Sequence, residues 1–127
     1  MKKQDLPLSP HLQIYKPQIT SLLSISHRIS GVALNFVLVI LVLGLLCITL
    51  GESYFELLIS LITSFPIKII IFLAVLGFSY HFLNGIRHII WDFGFLLGNR
   101  SSAIFGYIII ATSFFSSIFI SRLLGLF

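Results

Sequence analysis

The residues best suited to chemistry in this chain lie in one short stretch, residues 79–94. Its reactive or charged side chains are His81, Arg87, His88 and Asp92. Imidazoles bind metal ions and exchange protons, and a guanidinium group holds anions. The stretch begins inside a long apolar segment that starts at Pro66. A polar cluster there needs a physical reason, because ionisable groups are costly in apolar surroundings.

His81 lies furthest inside the apolar segment of these four residues. It precedes Asp92, near the end of that segment, by eleven residues, which corresponds to about 16 Å along a helix. A histidine that far inside apolar surroundings must face protein, a cavity or a ligand. Two interpretations are open: a hydrogen bond to a neighbouring helix, or axial ligation of a haem iron. Gly85, one turn further on the same face, could leave room for a flat ring.

His88 cannot share one iron with His81. The two residues are seven positions apart, about 10 Å along a helix, whereas two imidazoles on one metal lie about 2 Å from it on either side. A second ligand would therefore come from another helix, either from His27 or from a partner subunit. His88 could instead contact a haem propionate or a backbone carbonyl.

Arg87 projects about 100° away from His88 around the helix. Its simplest interpretation is a cation that extends to water at the membrane boundary.

A second polar group lies at the start of the first apolar segment. Ser24 and Arg28 are spaced i, i+4 and share a helix face, with His27 beside them. A hydroxyl, an imidazole and a guanidinium group could bind a quinone headgroup, whose oxygens need hydrogen-bond donors and a cation. Haem propionates fit the same cations. The simpler alternative is a polar helix start with Arg28 on a lipid phosphate.

Composition indicates a membrane protein. Hydrophobic residues make up 57% of the 127 residues and charged residues only 9%, whereas a soluble domain carries about a quarter charged residues. Apolar runs of about twenty residues are typical of membrane-spanning helices. The sequence therefore predicts an all-α integral membrane protein with one transmembrane domain, residues 1–127. Its net charge of +4 comes from scattered cations, which favours membrane orientation over nucleic-acid binding.

Three apolar segments follow a proline-containing arm. Pro7, Pro10 and Pro17 interrupt helix formation in the amino-terminal arm, residues 1–23, which we expect to lie along the membrane face or a partner. The predicted spans cover about residues 24–50, 66–90 and 103–124, with an amphipathic connector at 57–65. The first helix should reach back to about Ser21.

Cations are distributed unequally across these spans. Six fall on the side of the amino terminus and two on the other. They are Lys2, Lys3, Lys16, Arg28, Arg87 and Arg100 on the first side, and Lys68 and Arg122 on the second. The positive-inside rule then predicts a cytoplasmic, or organelle-matrix, amino terminus.

Two motifs resemble those of a known family. The first combines residues 9–15, Ser-Pro-His-Leu-Gln-Ile-Tyr, with residues 24–31, Ser-Ile-Ser-His-Arg-Ile-Ser-Gly. The second is residues 81–94, His-Phe-Leu-Asn-Gly-Ile-Arg-His-Ile-Ile-Trp-Asp-Phe-Gly. Both are similar to motifs of the cytochrome b subunits of succinate dehydrogenase, the large membrane anchors of respiratory complex II. The resemblance covers the whole chain.

This resemblance implies the roles of five residues. His81 becomes one axial ligand of a b-type haem, and the second histidine comes from a small hydrophobic anchor subunit. Ser24 and Arg28 become part of the ubiquinone site. His27, with Arg28, falls beside the haem propionates, and His88 is a further candidate there.

The resemblance also implies partners and a location. A flavoprotein subunit and an iron–sulfur subunit would oxidise succinate, and the small anchor would complete the helical bundle in the lipid bilayer. The expected membrane is the bacterial inner membrane, or the mitochondrial one for an organelle-encoded protein. The isolated chain is not expected to be catalytic, because it carries no paired-carboxylate, zinc or phosphate-binding motif.

Two alternatives remain at the level of sequence. One is the anchor of a fumarate reductase, which runs the reaction in the opposite direction. The other is a haem-free subunit for packing or transport, in which the histidines form hydrogen bonds only.

Overall fold

The computed structural model describes residues 16–127, and the predictions made for residues 1–15 of the arm lie outside this range. All regular structure in the described part is helical. The helices are α1 (Ile19–Thr49), α2 (Glu52–Thr63), α3 (Phe65–Asp92) and α4 (Asn99–Leu123). Three of them, α1, α3 and α4, are long and apolar enough to cross a membrane. The predicted all-α membrane fold is confirmed.

Helix α1 begins at Ile19, two residues before the predicted start near Ser21. Gln18 is extended, and the helix starts two residues after Pro17, where proline no longer constrains the backbone. His27 consequently lies eight residues inside the helix, about 12 Å from its start.

Glycines and a proline set the boundaries between helices. Gly51 has φ 115°, a backbone conformation that favours glycine, and it permits the turn from α1 into α2. The connector is helical from Glu52 and therefore longer than the predicted 57–65. Pro66 lies in the first turn of α3, where a missing N–H costs nothing.

The buried face of α4 consists mainly of small residues. The buried positions of this helix are Ser102, Gly106, Ile109, Ser113, Ser117 and Ser121. Small residues allow the backbones of membrane helices to approach closely. At Gly106 the approach is tightest, because an added Cβ would overlap the Leu23 side chain of α1. This face therefore brings α4 against α1 and α3.

Large apolar side chains point outward. Phe36 and Phe115 are each 68% exposed, and only Leu23, Ile109 and Leu126 are buried apolar residues in the described part. Most fully buried side chains are polar. This distribution is the reverse of that in a soluble domain, and it fits helices surrounded by lipid or by other apolar helices.

Substituting Gly106 tests the tight packing of α4. We expect Gly106→Ala to destabilise the folded protein by about 1–3 kcal/mol, because the buried Leu23 must move to admit the new methyl group. Gly77→Ala is the matched control, since nothing lies within 4 Å of the added Cβ in α3. In thermal unfolding of the purified assembly, only Gly106→Ala should lower the unfolding temperature. Equal stability of the two variants would contradict the packing described.

Candidate functional site

Three histidines from two helices lie together. His27 of α1 stacks on His81 of α3, with ring centroids 4.1 Å apart and planes inclined by 10°. The His27 ring is also 5.1 Å from that of His88, at an angle of 41°. All three side chains are half-buried. The cluster therefore places three imidazoles where a ligand between helices could reach them.

His27 and His81 form reciprocal hydrogen bonds. The Nε2 atom of His27 lies 3.2 Å from the backbone oxygen of His81. The Nδ1 atom of His81 lies 3.1 Å from the backbone oxygen of His27. A carbonyl oxygen only accepts, so each of these ring nitrogens must be the N–H donor. The pair joins α1 to α3 through both side chains and both backbones.

This pairing determines which nitrogen of His81 can bind a metal. Because Nδ1 carries the proton, Nε2 holds the lone pair. No residue among 16–127 forms a hydrogen bond with this Nε2 atom. Metal-binding histidines characteristically donate their other N–H to a carbonyl or carboxylate in this way. The residues present therefore fit an axial ligand of a haem iron.

Ser30 and Gly31 hold the His81 ring in place. The Ser30 hydroxyl donates to the His27 carbonyl at 2.8 Å and lies 3.1 Å from His81 Nδ1. A Cβ on Gly31 would stand 3.0 Å from His81 Cε1, so glycine gives the ring its space. Both residues lie in the motif 24–31, but their types and spacing alone indicated no role.

Gly85 has little beside it. His27 Nε2 is the one described atom within 4 Å of an added Cβ, and at 3.8 Å it is at an ordinary van der Waals distance. That this glycine leaves room for a flat ring stays a prediction.

The stacking also limits how His27 and His81 can act together. A metal held between two imidazoles lies about 2 Å from a nitrogen of each, in the plane of each ring. His27 and His81 instead lie face to face, with ring centroids 4.1 Å apart. In this arrangement the two rings do not hold one metal ion between them.

His27 contacts both His81 and His88. Its position about 12 Å along α1 falls between those of the two histidines of α3, which lie about 6 Å (His88) and about 16 Å (His81) before Asp92 along the helix.

Ser24 and Arg28 flank His27 on α1, about 60° and 100° around the helix from it. Arg28 is exposed, Ser24 is half-buried, and neither hydrogen-bonds with the described part of α3. Arg28 heads an apolar groove of about 430 Å³. The groove is otherwise lined by Ile29, Val32, Ala33 and Phe36. A cation at one end of an apolar groove suits a ligand with a polar head and an apolar tail.

Arg87 is buried, and its interpretation as a water-facing cation was wrong. Its side chain is 0% exposed and turns toward α4. The Nη2 atom donates to the Ser102 hydroxyl at 3.0 Å and to the Ser102 carbonyl at 3.3 Å. The guanidinium carbon lies 4.1 Å from the ring centroid of Trp91, whose ring meets His88 edge-on at 5.2 Å. Small residues of α4 leave the space it fills.

Tyr80 is a further residue that the sequence analysis missed. Its hydroxyl donates to the Leu23 carbonyl at 2.8 Å. Leu23 and His27 are one turn apart on α1, and both of their carbonyls accept a hydrogen bond from α3. Only the tyrosine's position beside His81 could have suggested this. Asp92, in contrast, is exposed and forms no ion pair with any described residue.

Comparison with known proteins gives the family. Residues 2–120 match the model of the succinate dehydrogenase/fumarate reductase transmembrane subunit. The chain belongs to this family. It is 44% identical to the succinate dehydrogenase cytochrome b556 subunit of Rickettsia typhi, over 84% of this chain and 83% of the relative.

Cytochrome b560 subunits of eukaryotes are similar as well. The Chondrus crispus subunit is 44% identical over 76% of this chain and 78% of its own length. The Reclinomonas americana subunit is 38% identical over 85% of this chain and 78% of its own length. The resemblance seen in the motifs is thereby confirmed. Together with the three spanning helices, these relatives fit a protein of an inner membrane.

Tyr80→Phe tests the contact between α1 and α3. We expect the loss of one interhelical hydrogen bond to destabilise the fold by about 0.6–1.7 kcal/mol, the range for such bonds in membranes. Tyr107→Phe removes a hydroxyl from an exposed tyrosine of α4 and serves as the control. Thermal unfolding in the assembled complex is the measurement. A Tyr80→Phe variant as stable as the control would contradict the contact.

Proposed function

We propose that this chain is the large membrane anchor of a succinate:ubiquinone oxidoreductase. In this role it binds haem b through His81 and contributes Ser24 and Arg28 to the ubiquinone site. The observation that carries the proposal is the free Nε2 lone pair of His81, oriented by the Nδ1 hydrogen bond to the His27 carbonyl. Family membership and the names of the relatives support it.

Haem binding requires a second subunit in this proposal. His81 would supply one nitrogen ligand and a histidine of a small hydrophobic anchor the other; the face-to-face stacking of His27 on His81 supports a ligand from outside this pair. His27, Arg28 and His88 are the groups of this chain available to the haem propionates. When bound, the haem supplies a centre that accepts and returns single electrons.

The quinone site uses the part of α1 that carries Ser24 and the exposed Arg28, beside His27. The Arg28 guanidinium donates to one quinone oxygen and stabilises the negative charge that develops there during reduction. The Ser24 hydroxyl, one turn earlier, is a second donor. The apolar groove below Arg28 accommodates the apolar part of the substrate. Ubiquinone accepts two electrons and two protons to become ubiquinol.

The remaining parts of the complex supply the electrons. A flavoprotein subunit oxidises succinate, and an iron–sulfur subunit passes the electrons to the membrane boundary. We place the amino terminus and the loop after α3 on the cytoplasmic or matrix side, because six of the eight Lys and Arg residues fall there. Ser24 and Arg28 then lie on the side from which electrons arrive. The family also includes fumarate reductase subunits, but the relatives compared are named succinate dehydrogenase.

The haem assignment is tested with His81→Ala in the assembled complex. We expect the b-type signal in the reduced-minus-oxidised absorption spectrum to be lost or strongly shifted, because the variant has no ligating nitrogen. His88→Ala is the matched control and should keep axial ligation, since His88 is about two turns from His81. An unchanged spectrum for His81→Ala would overturn the assignment and favour the haem-free alternative.

The quinone assignment is tested with Arg28→Ala. Removing the guanidinium should lower ubiquinone reduction roughly 100- to 1,000-fold, as expected for the loss of one preorganised donor, while the rate of dye-linked succinate oxidation remains unchanged. Arg122→Ala removes an exposed cation at the other end of the bundle and should leave both rates unchanged. Equal losses of both activities in Arg28→Ala would instead indicate failed assembly.

A further inference from the structure

The buried guanidinium group of Arg87 has no counter-ion within residues 16–127. Its hydrogen-bond acceptors are Asn84 Oδ1, the Ser102 hydroxyl and the Ser102 carbonyl, and all three are neutral. Its own Nε, the Nδ2 of Asn84 and the Nε1 of Trp91 are buried donors with no acceptor in the described part of the chain. The positive charge is thus fixed in position and not neutralised by these neighbours.

Burial extends the reach of this charge. At an effective dielectric constant of about 20 a charge acts about four times more strongly than in bulk water. Exposed cations are also screened by salt within about 10 Å. Arg28, Arg100 and Arg122 are exposed, whereas Arg87 is completely buried. Among these four arginines, only Arg87 keeps a strong electrostatic field inside the bundle.

Arg87 lies near the proposed haem ligand. It follows His81 by six residues on α3, about 9 Å along the helix axis. A series of ring contacts also connects the two residues: Trp91 lies against the guanidinium, His88 against Trp91, and His27 against both His88 and His81. At this separation the charge of Arg87 acts on a group bound at His81 through protein and not only through bulk water.

We propose that Arg87 raises the reduction potential of the haem that His81 binds. Ferric haem takes up one electron to become ferrous, so the centre loses one unit of positive charge. A fixed neighbouring cation stabilises the form with the added electron. This inference rests on the proposed haem binding and adds a tuning residue that forms no contact with the iron. Ser102 and Trp91 are positioning residues, because they hold the guanidinium in place.

The test is a redox titration of the haem in the assembled complex, followed by its absorption. Arg87→Gln removes the charge and keeps a polar side chain, and we expect a lower midpoint potential with unchanged low-spin axial ligation. Arg87→Lys retains the charge and should stay near the wild-type potential. Arg100→Gln removes the same formal charge from an exposed site of α4 and should not shift it.

A fourth variant neutralises the charge without removing Arg87. Ser102→Asp places a carboxylate where the hydroxyl is now 3.0 Å from Nη2, and it should lower the potential as Arg87→Gln does. It decides the question if Arg87→Gln does not assemble. Unchanged potential in either charge-neutral variant with haem bound, or an equal shift in Arg100→Gln, would overturn the role of Arg87. Absence of haem from the wild-type complex would refute the proposed function itself.

Discussion

The reciprocal hydrogen bonding of His27 and His81 is the contact on which the rest of this structure depends. It joins α1 to α3 deep in an apolar region, where each unsatisfied polar group is costly. It also fixes the tautomer of His81 and leaves Nε2 free to bind a metal. Three neighbours support this contact. Tyr80 forms a further hydrogen bond between the same helices, the Ser30 hydroxyl lies within hydrogen-bonding distance of His81 Nδ1, and Gly31 leaves space for the His81 ring. The ring nitrogens and backbone oxygens of this pair therefore both stabilise the helix packing and orient the His81 ring.

Polar groups are concentrated inside the bundle and apolar groups outside. Small residues of α4 permit this arrangement, since they admit the Arg87 guanidinium between α3 and α4. The histidines lie between α1 and α3, while Arg28 lines an apolar groove on α1. In the function proposed above, the histidines serve a haem, the groove serves a quinone, and partner subunits complete both sites.

The sequence predicted the helical class, the three spans and the family, because apolar length and two long motifs are local features. It also singled out His27, His81 and His88. It did not predict that His27 would contact His81, because that depends on where α1 begins relative to α3. The burial of Arg87 was not predicted. It depends on the small residues of α4, and α4 has no acidic residue that would mark it as the neighbour of an arginine. The roles of Ser30, Gly31 and Tyr80 depend on backbone carbonyls of a neighbouring helix, which no side-chain motif encodes.

The central claim is that His81 Nε2 binds the haem iron. Imidazole rescue tests this claim most directly, because a free imidazole can occupy the space left by His81→Gly. We predict that the His81→Gly complex loses its low-spin b-type spectrum and regains it when imidazole is added. His88→Gly, treated in the same way, should show neither the loss nor the recovery. A His81→Gly complex that keeps a normal low-spin haem without imidazole would contradict the account.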